Sequence, residues 1–289
     1  MFTKNEYIIE YATENIARFY KTPPHYYLVI LIIASSNNKH EEIFTENWKK
    51  YMNLYSNVKS FFIYGDETIE HDIYVDENKI VCKCKEEYIP GIFIKTVAAY
   101  KFISKKIKFN YMLRTNLSSV FHIPRLLQLL YTSPQTNFMA GRFGIINQAY
   151  SNEDNKHILE ITSKYFSKNN MEVENIWFLD GAGYILSSDI IHKFLLLYKE
   201  TDIRDIFMLA DDVVHSIILY HIEPEISCLK YVNAYNFIHC NFHECLDHEN
   251  PSAYPENIIH IRNRTDYKFG NREVDIENMH KQIRLFYNT

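Results

Sequence analysis

Tyr27-Leu-Val-Ile-Leu-Ile-Ile-Ala34 is an unbroken apolar run that stops abruptly at Ser35-Ser36-Asn37-Asn38. A strand with one wet face alternates polar and apolar residues. A run like this one suits a strand buried on both faces, the habit of parallel sheets covered by helices. The flanking segments agree. Thr22-Pro23-Pro24 ends the amphipathic helix predicted over residues 4–20, where Ile8, Ile9, Ala12, Ile16, Ala17 and Tyr20 recur near a 3.6-residue period. A helix carrying Ile43, Trp48 and Tyr51 follows the run.

The alternation continues outward. Val58–Tyr64 (VKSFFIY) reads as a second strand turning at Gly65-Asp66, and Ile80–Cys84 as a short third. Tyr88–Ile103 reads as a helix facing inward with Ile92, Ile94, Ala98 and Phe102. Phe109–Arg114 is a fourth strand, Ile123–Tyr131 a helix. Strands alternating with helices predict an α/β fold with a largely parallel central sheet. Ligands of such sheets bind at the carboxyl ends of the strands. The polar ends Ser35-Ser36, Gly65-Asp66 and Arg114–Ser119 should therefore share one crevice.

The second half reads differently. Phe138–Ile146 is strand and loop, Ile158–Phe166 a helix. Trp177–Asp189 starts extended, tightens at Gly181 and Gly183 and enters a helix through Leu197. Val213–Leu219 is an apolar helix behind Asp211-Asp212, and a last helix runs near Asp275–Phe286. No linker divides the chain. It reads as a single domain over 1–289, with a nucleotide-binding half at 25–135 and an acceptor-side half at 136–289.

Composition narrows the function. The 289 residues are 47% hydrophobic and carry a net charge of −5, against the basic lean of nucleic-acid surfaces. Leu28–Ala34 is too short to span a bilayer, and the first turns, with Lys4, Glu6 and Glu10, do not read as a signal peptide. The expected location is cytoplasmic. Five cysteines, an odd number, favour reduced thiols. His239-Cys-Asn-Phe-His-Glu-Cys245 followed by His248 has a metal-like composition but no common zinc spacing.

Several polar stretches carry candidate chemistry. Tyr111-Met-Leu-Arg-Thr-Asn-Leu-Ser-Ser-Val-Phe121 drives a buried strand into a polar knot. Asn and Ser there suit a turn; Arg114 needs a partner, and a diphosphate is one candidate. Asp211-Asp212 suits either a helix N-terminus or a general base. Gly181-Ala-Gly183 permits close approach of backbone to a ligand or neighbour; it lacks the third glycine of a dinucleotide fingerprint. Arg262, Arg264, Lys268 and Arg272 form a sparse basic cluster, either a solvated face or a phosphate clamp.

The order of these features resembles the β-1,3-galactosyltransferase and fringe-like group of glycosyltransferases, which have the GT-A nucleotide-sugar-binding, Rossmann-like fold with a mixed central sheet. The matching pieces are Leu28–Ser36, Trp48, Phe61–Gly65 and Tyr88 through Lys95-Thr96. They continue with Tyr111-Met-Leu-Arg-Thr-Asn-Leu-Ser against Tyr-x-x-Lys-x-Asp-Asp-Asp, then Gly181-Ala-Gly-Tyr-Ile-Leu-Ser187 and Asp211-Asp212-Val213. The Arg-Thr-Asn-x-Ser-Ser variant also looks like glycosyltransferase-like proteins of large DNA viruses, which would place the enzyme in host cytoplasm.

The resemblance implies an inverting enzyme that moves a sugar from a UDP-sugar (xylose, galactose or N-acetylglucosamine) to a glycan or glycoprotein hydroxyl. Asp212 would be the base and Asp211 the fallback. Ser35, Ser36, Asp66, Lys95, Arg114, Asn116 and Ser118 would meet the nucleotide, with Gly181 and Gly183 at the sugar and Arg262 and Arg264 folding back on the diphosphate. It also implies Mn²⁺ or Mg²⁺. Asn116, Leu117 and Ser118 replace the triple aspartate, and neutral oxygens hold such ions far less well than carboxylates. His239 and His260 are the candidate histidine ligands. The alternative readings are a catalytically silent nucleotide-sugar or carbohydrate module, and a nucleotidyltransferase, which would need paired carboxylates for two metals.

Overall fold

The structure is a computed structural model that describes residues 23–35, 39–146, 156–169, 177–221, 237–238, 258–264 and 271–288. The helix expected over 4–20 and the Cys/His stretch from His239 to His248 lie outside the described residues.

The Tyr27–Ala34 run forms β1 (His25–Ile33), at the centre of a seven-stranded sheet. Its partners are β2 (Val58–Gly65), β3 (Ile73–Asp76), β4 (Lys79–Cys82), β5 (Lys108–Asn116), β7 (Met139–Ile145) and β8 (Trp177–Ser187), in the order β3-β4-β2-β1-β5-β8-β7. β4, β2, β1 and β5 run parallel, while β3, β8 and β7 pair antiparallel. The sheet is therefore mixed, as the expected fold requires. A second sheet is formed by β6 (Ser119–Phe121), which follows the end of β5, with β10 (His260–Arg262) and β9 (Phe237–Ile238).

β1 is apolar throughout because both of its faces are covered. Val29, Leu31 and Ile33 pack under α2 (Gly91–Lys106), α5 (Ser188–Glu200) and α6 (Asp211–Leu219), against Phe93, Val97, Phe194 and Val214. Leu28, Ile30 and Ile32 pack under α1 (Lys39–Lys49), α3 (Ile123–Tyr131) and α7 (Arg272–Tyr287), against Trp48, Leu126 and Met279. A further helix, α4 (Lys156–Lys168), follows β7.

Three expectations change. The inward face of α2 is Phe93, Val97, Tyr100 and Ile103, with Ile92, Ile94, Ala98 and Phe102 only partly buried. Both sets recur at helical spacing, so periodicity alone did not choose between them. The strand expected at Ile80–Cys84 ends at Cys82, with β3 as an added hairpin partner at the sheet edge. Ser119, read as part of a polar turn, instead opens a strand that runs to Phe121, because β10 arrives from far along the chain to pair with it. Cys82 and Cys84 are buried free thiols, and burial pushes Cys82 up to about 12.

Candidate active site

In register, Ile33 of β1 lies beside Ile63 of β2 on one side and Asn116 of β5 on the other. The strand ends expected to converge are thus neighbours. A cleft of about 810 Å³ opens at the ends of β1 and β2, lined by Ser35, Glu42, Lys49, Tyr64, Asp66 and Thr68 among others. Asp66 accepts bonds from the Thr68 backbone N–H (2.8 Å) and hydroxyl (2.6 Å), which hold its carboxyl below the usual carboxylate range.

Lys95 lies under this cleft rather than in it. It is 1% exposed, ion-paired with Glu86, and donates to the Ala34 carbonyl at 2.8 Å. Glu86 in turn accepts the Gly65 N–H at 2.6 Å. One lysine and one glutamate therefore tie the ends of β1 and β2 together. Its ammonium is committed to that tie instead of the expected nucleotide. Lys95→Ala should cost about 3 kcal/mol, since it strands a largely buried carboxylate; urea unfolding measures the loss.

The second part of the crevice is built on β8. Four of its residues, Asp180–Gly183, face the single residue Arg142 of β7 between the pairs Gly141–Tyr184 and Phe143–Leu179. Such a bulge re-aims side chains and interrupts the ladder. It brings the chain against α6, and the glycines make the approach tolerable. A Cβ on Gly181 would lie 2.8 Å from the Arg114 guanidinium and 3.3 Å from Asp212 Oδ2; one on Gly183 would lie 2.8 Å from Phe121.

Arg114 crosses to this bulge from β5. It is 3% exposed and donates to the Gly181 carbonyl and the Asp211 carboxylate, with its guanidinium over the Tyr184 ring. Burial works against its charge, but Asp211, Tyr184 and Asp212 hold its pKa above the ordinary arginine value. The partner that the sequence leaves open, with a diphosphate as candidate, is supplied here by Asp211. Beneath the pair, Tyr184 and Tyr100 share a hydroxyl contact at 3.2 Å. His215 packs among Phe93, Tyr100 and Phe194 with Nδ1 on the Asp211 carbonyl at 2.7 Å, and burial drives it down to about 4.

The two aspartates thus differ. The helix N-cap is Ala210, and Asp211 is consumed by Arg114. Asp212 accepts the Gly181 N–H at 3.0 Å on Oδ2 and the Val213 N–H at 2.9 Å on Oδ1, and keeps partial exposure. Burial, then the charges of Asp211 and Asp180, push its carboxyl up to about 7. Asn116 reaches the same bulge, with Nδ2 3.4 Å from the Gly181 carbonyl. Asn116 and Asp212 therefore meet at one residue.

The polar knot is closed on itself. Ser118 and Ser119 hydroxyls lie 3.1 and 3.2 Å from Asn116 Oδ1, and Leu117 is buried. His260 is 2% exposed, stacked on Phe121 at 4.2 Å, with Nε2 3.0 Å from Ser119 Oγ. These neutral, internally bonded groups do not fit a divalent cation, and no cluster of three His, Cys, Asp or Glu ligands occurs among the described residues. Ser36 and His239 lie outside them. Arg262 contacts Asp180 at 3.6 Å; Arg264 is half-buried just beyond β10. Arg272 of the basic cluster pairs with Asp275 on its own helix at 3.0 Å. Sequence reading missed Asp180 and Arg142, whose only sequence signals are their positions beside Gly181 and Gly141.

A mixed sheet flanked by helices, with a carboxylate-bearing crevice at its strand ends, is the architecture of a GT-A-like glycosyltransferase domain. The family model described as Galactosyltransferase matches residues 40–226, and the chain belongs to that family. It is accordingly a glycosyltransferase, with a sugar donor and an acceptor as its partners. No curated protein matches it. Among the described residues, no helix is long and apolar enough to cross a membrane.

Proposed function

We propose that the protein is an inverting transferase that uses a UDP-sugar, with Asp212 as the general base. Asp212 takes the proton of an acceptor hydroxyl. That oxygen bonds to the anomeric carbon as the bond from carbon to the diphosphate oxygen breaks. The electron pair leaves on the diphosphate, and attack from the opposite face inverts the centre. The uridine would occupy the cleft beside Ser35 and Asp66, and the sugar would rest on the Gly181–Gly183 bulge.

The observation that carries this assignment is the asymmetry of the acidic pair. Asp211 is locked to a buried guanidinium. Asp212 is held by two backbone N–H groups, retains exposure at the crevice, and has its proton affinity raised toward neutrality. A base poised near the operating pH is the efficient one.

The test is transfer from a panel of UDP-xylose, UDP-galactose and UDP-N-acetylglucosamine, with the anomeric configuration of the product read by NMR. On the active donor, kcat/KM should fall as pH drops below about 7, because the base must be unprotonated. A retained anomer, or a profile flat from pH 8 to 5, would remove Asp212 from this role.

A further inference from the structure

The crevice holds two ion-pair systems of opposite character. Arg114–Asp211 is dry and closely bonded. Asp180, by contrast, is approached by two arginines at lengths beyond a charge-assisted hydrogen bond: Arg262 Nη1 at 3.6 Å and Arg142 Nη1 at 3.9 Å. The side-chain exposures in this second group are 22% for Asp180, 49% for Arg142 and 14% for Arg262, against 3% and 7% for Arg114 and Asp211. Asp180 does not depend on the arginines for its position, since it also accepts the Ala182 N–H at 2.9 Å.

Their placement matters. Arg142 is the residue opposite the β8 bulge. Arg262 is paired in register with Ser119, and the Asn263 N–H donates to the Ser118 carbonyl at 2.8 Å. Arg262 therefore stands beside the closed Asn116–Ser119 knot, whose neutral groups do not fit a divalent ion, and Arg142 stands opposite the bulge whose Gly181 carbonyl Asn116 reaches.

We propose that Arg142 and Arg262 form the diphosphate clamp in place of a divalent cation, and that Asp180 occupies this clamp until the donor displaces it. Planar guanidiniums suit phosphate oxygens, and positive groups aimed at the leaving diphosphate stabilise the charge that develops there. A carboxylate held on its own backbone by Ala182 sets both guanidiniums about one acid, at 3.6 and 3.9 Å. The inference rests on the nucleotide-sugar reading above.

Calorimetric titration with UDP tests it on the whole chain, in EDTA and in MnCl2. Wild type should bind equally in both. Arg262→Gln and Arg142→Gln should each weaken binding about tenfold, the loss of one charge-assisted contact. Asp180→Asn should tighten it several-fold, because a competing anion is gone. A structural salt bridge would do the reverse: Asp180→Asn would weaken binding along with the arginine variants, and the proposal would fall. It also falls if binding needs Mn²⁺, or if UDP binds and both arginine variants match wild type. Arg142 is exposed, so its variant should stay folded and keep the test valid should Arg262→Gln not. If neither UDP, GDP nor pyrophosphate binds wild type, the nucleotide-sugar reading itself fails, and this inference with it.

Discussion

Asp212→Asn is expected to reduce sugar transfer about 10²–10⁴-fold, the contribution of a positioned general base, while UDP binding stays unchanged. The amide oxygen can still accept one of the N–H bonds from Gly181 and Val213, so the crevice keeps its shape. Stability should hold or rise. The folded-state carboxyl is raised above its ordinary value of 3.8, so the folded chain holds this proton more tightly than the unfolded one does. The Asp212 charge therefore disfavours folding increasingly as pH climbs from about 4 to 7, and a neutral amide relieves that penalty. A melting temperature unchanged or higher, together with lost transfer, is a pattern a misfolded variant would not give. Transfer at wild-type rates would exclude Asp212 as the base.

Arg114→Met should have the opposite signature, a large loss of stability. It leaves Asp211 buried without its cation, a change worth about 3–5 kcal/mol in proteins whose whole stability is typically about 5–15 kcal/mol. The double variant Arg114→Met/Asp211→Leu removes both charges and should recover most of that loss, since well-packed apolar replacements of a buried pair are often neutral. Denaturant unfolding of the four chains forms a double-mutant cycle. Additive effects would mean that Arg114 and Asp211 do not depend on one another. A strong coupling would mean that the Asp211 carboxylate is held by Arg114 in the folded chain.

Much of the fold was legible along the chain. Tyr27–Ala34 announced a doubly covered strand, because eight consecutive apolar side chains point alternately to two faces and each face needs a helical layer. Asp211-Asp212 and Gly181-Ala-Gly183 were joined into one site by the resemblance to the glycosyltransferase group, and the fold brings them together where the Gly181 N–H donates to Asp212. What stayed hidden depends on contacts between distant residues. Lys95 reads as a nucleotide contact in the sequence, whereas in the fold Glu86 and the Ala34 carbonyl enclose its ammonium. Asp180 and Arg142 gave no signal, since an isolated charge in a strand acquires meaning only from what the bulge places opposite it. Within α2, Phe93 and Ile92 are equally apolar; the sheet beneath chose the face.

The chain alone determined the alternation of elements, the class of the sheet and the neighbourhood of the crevice, because hydrophobic period and turn chemistry are local properties of consecutive residues. Tertiary structure decided which aspartate is spent on Arg114 and which keeps partial exposure at the crevice, and it set Arg262 beside Ser119 across more than 140 positions. Charge pairing and burial belong to groups that only the folded backbone brings within a few ångströms, and no spacing in the sequence encodes that distance.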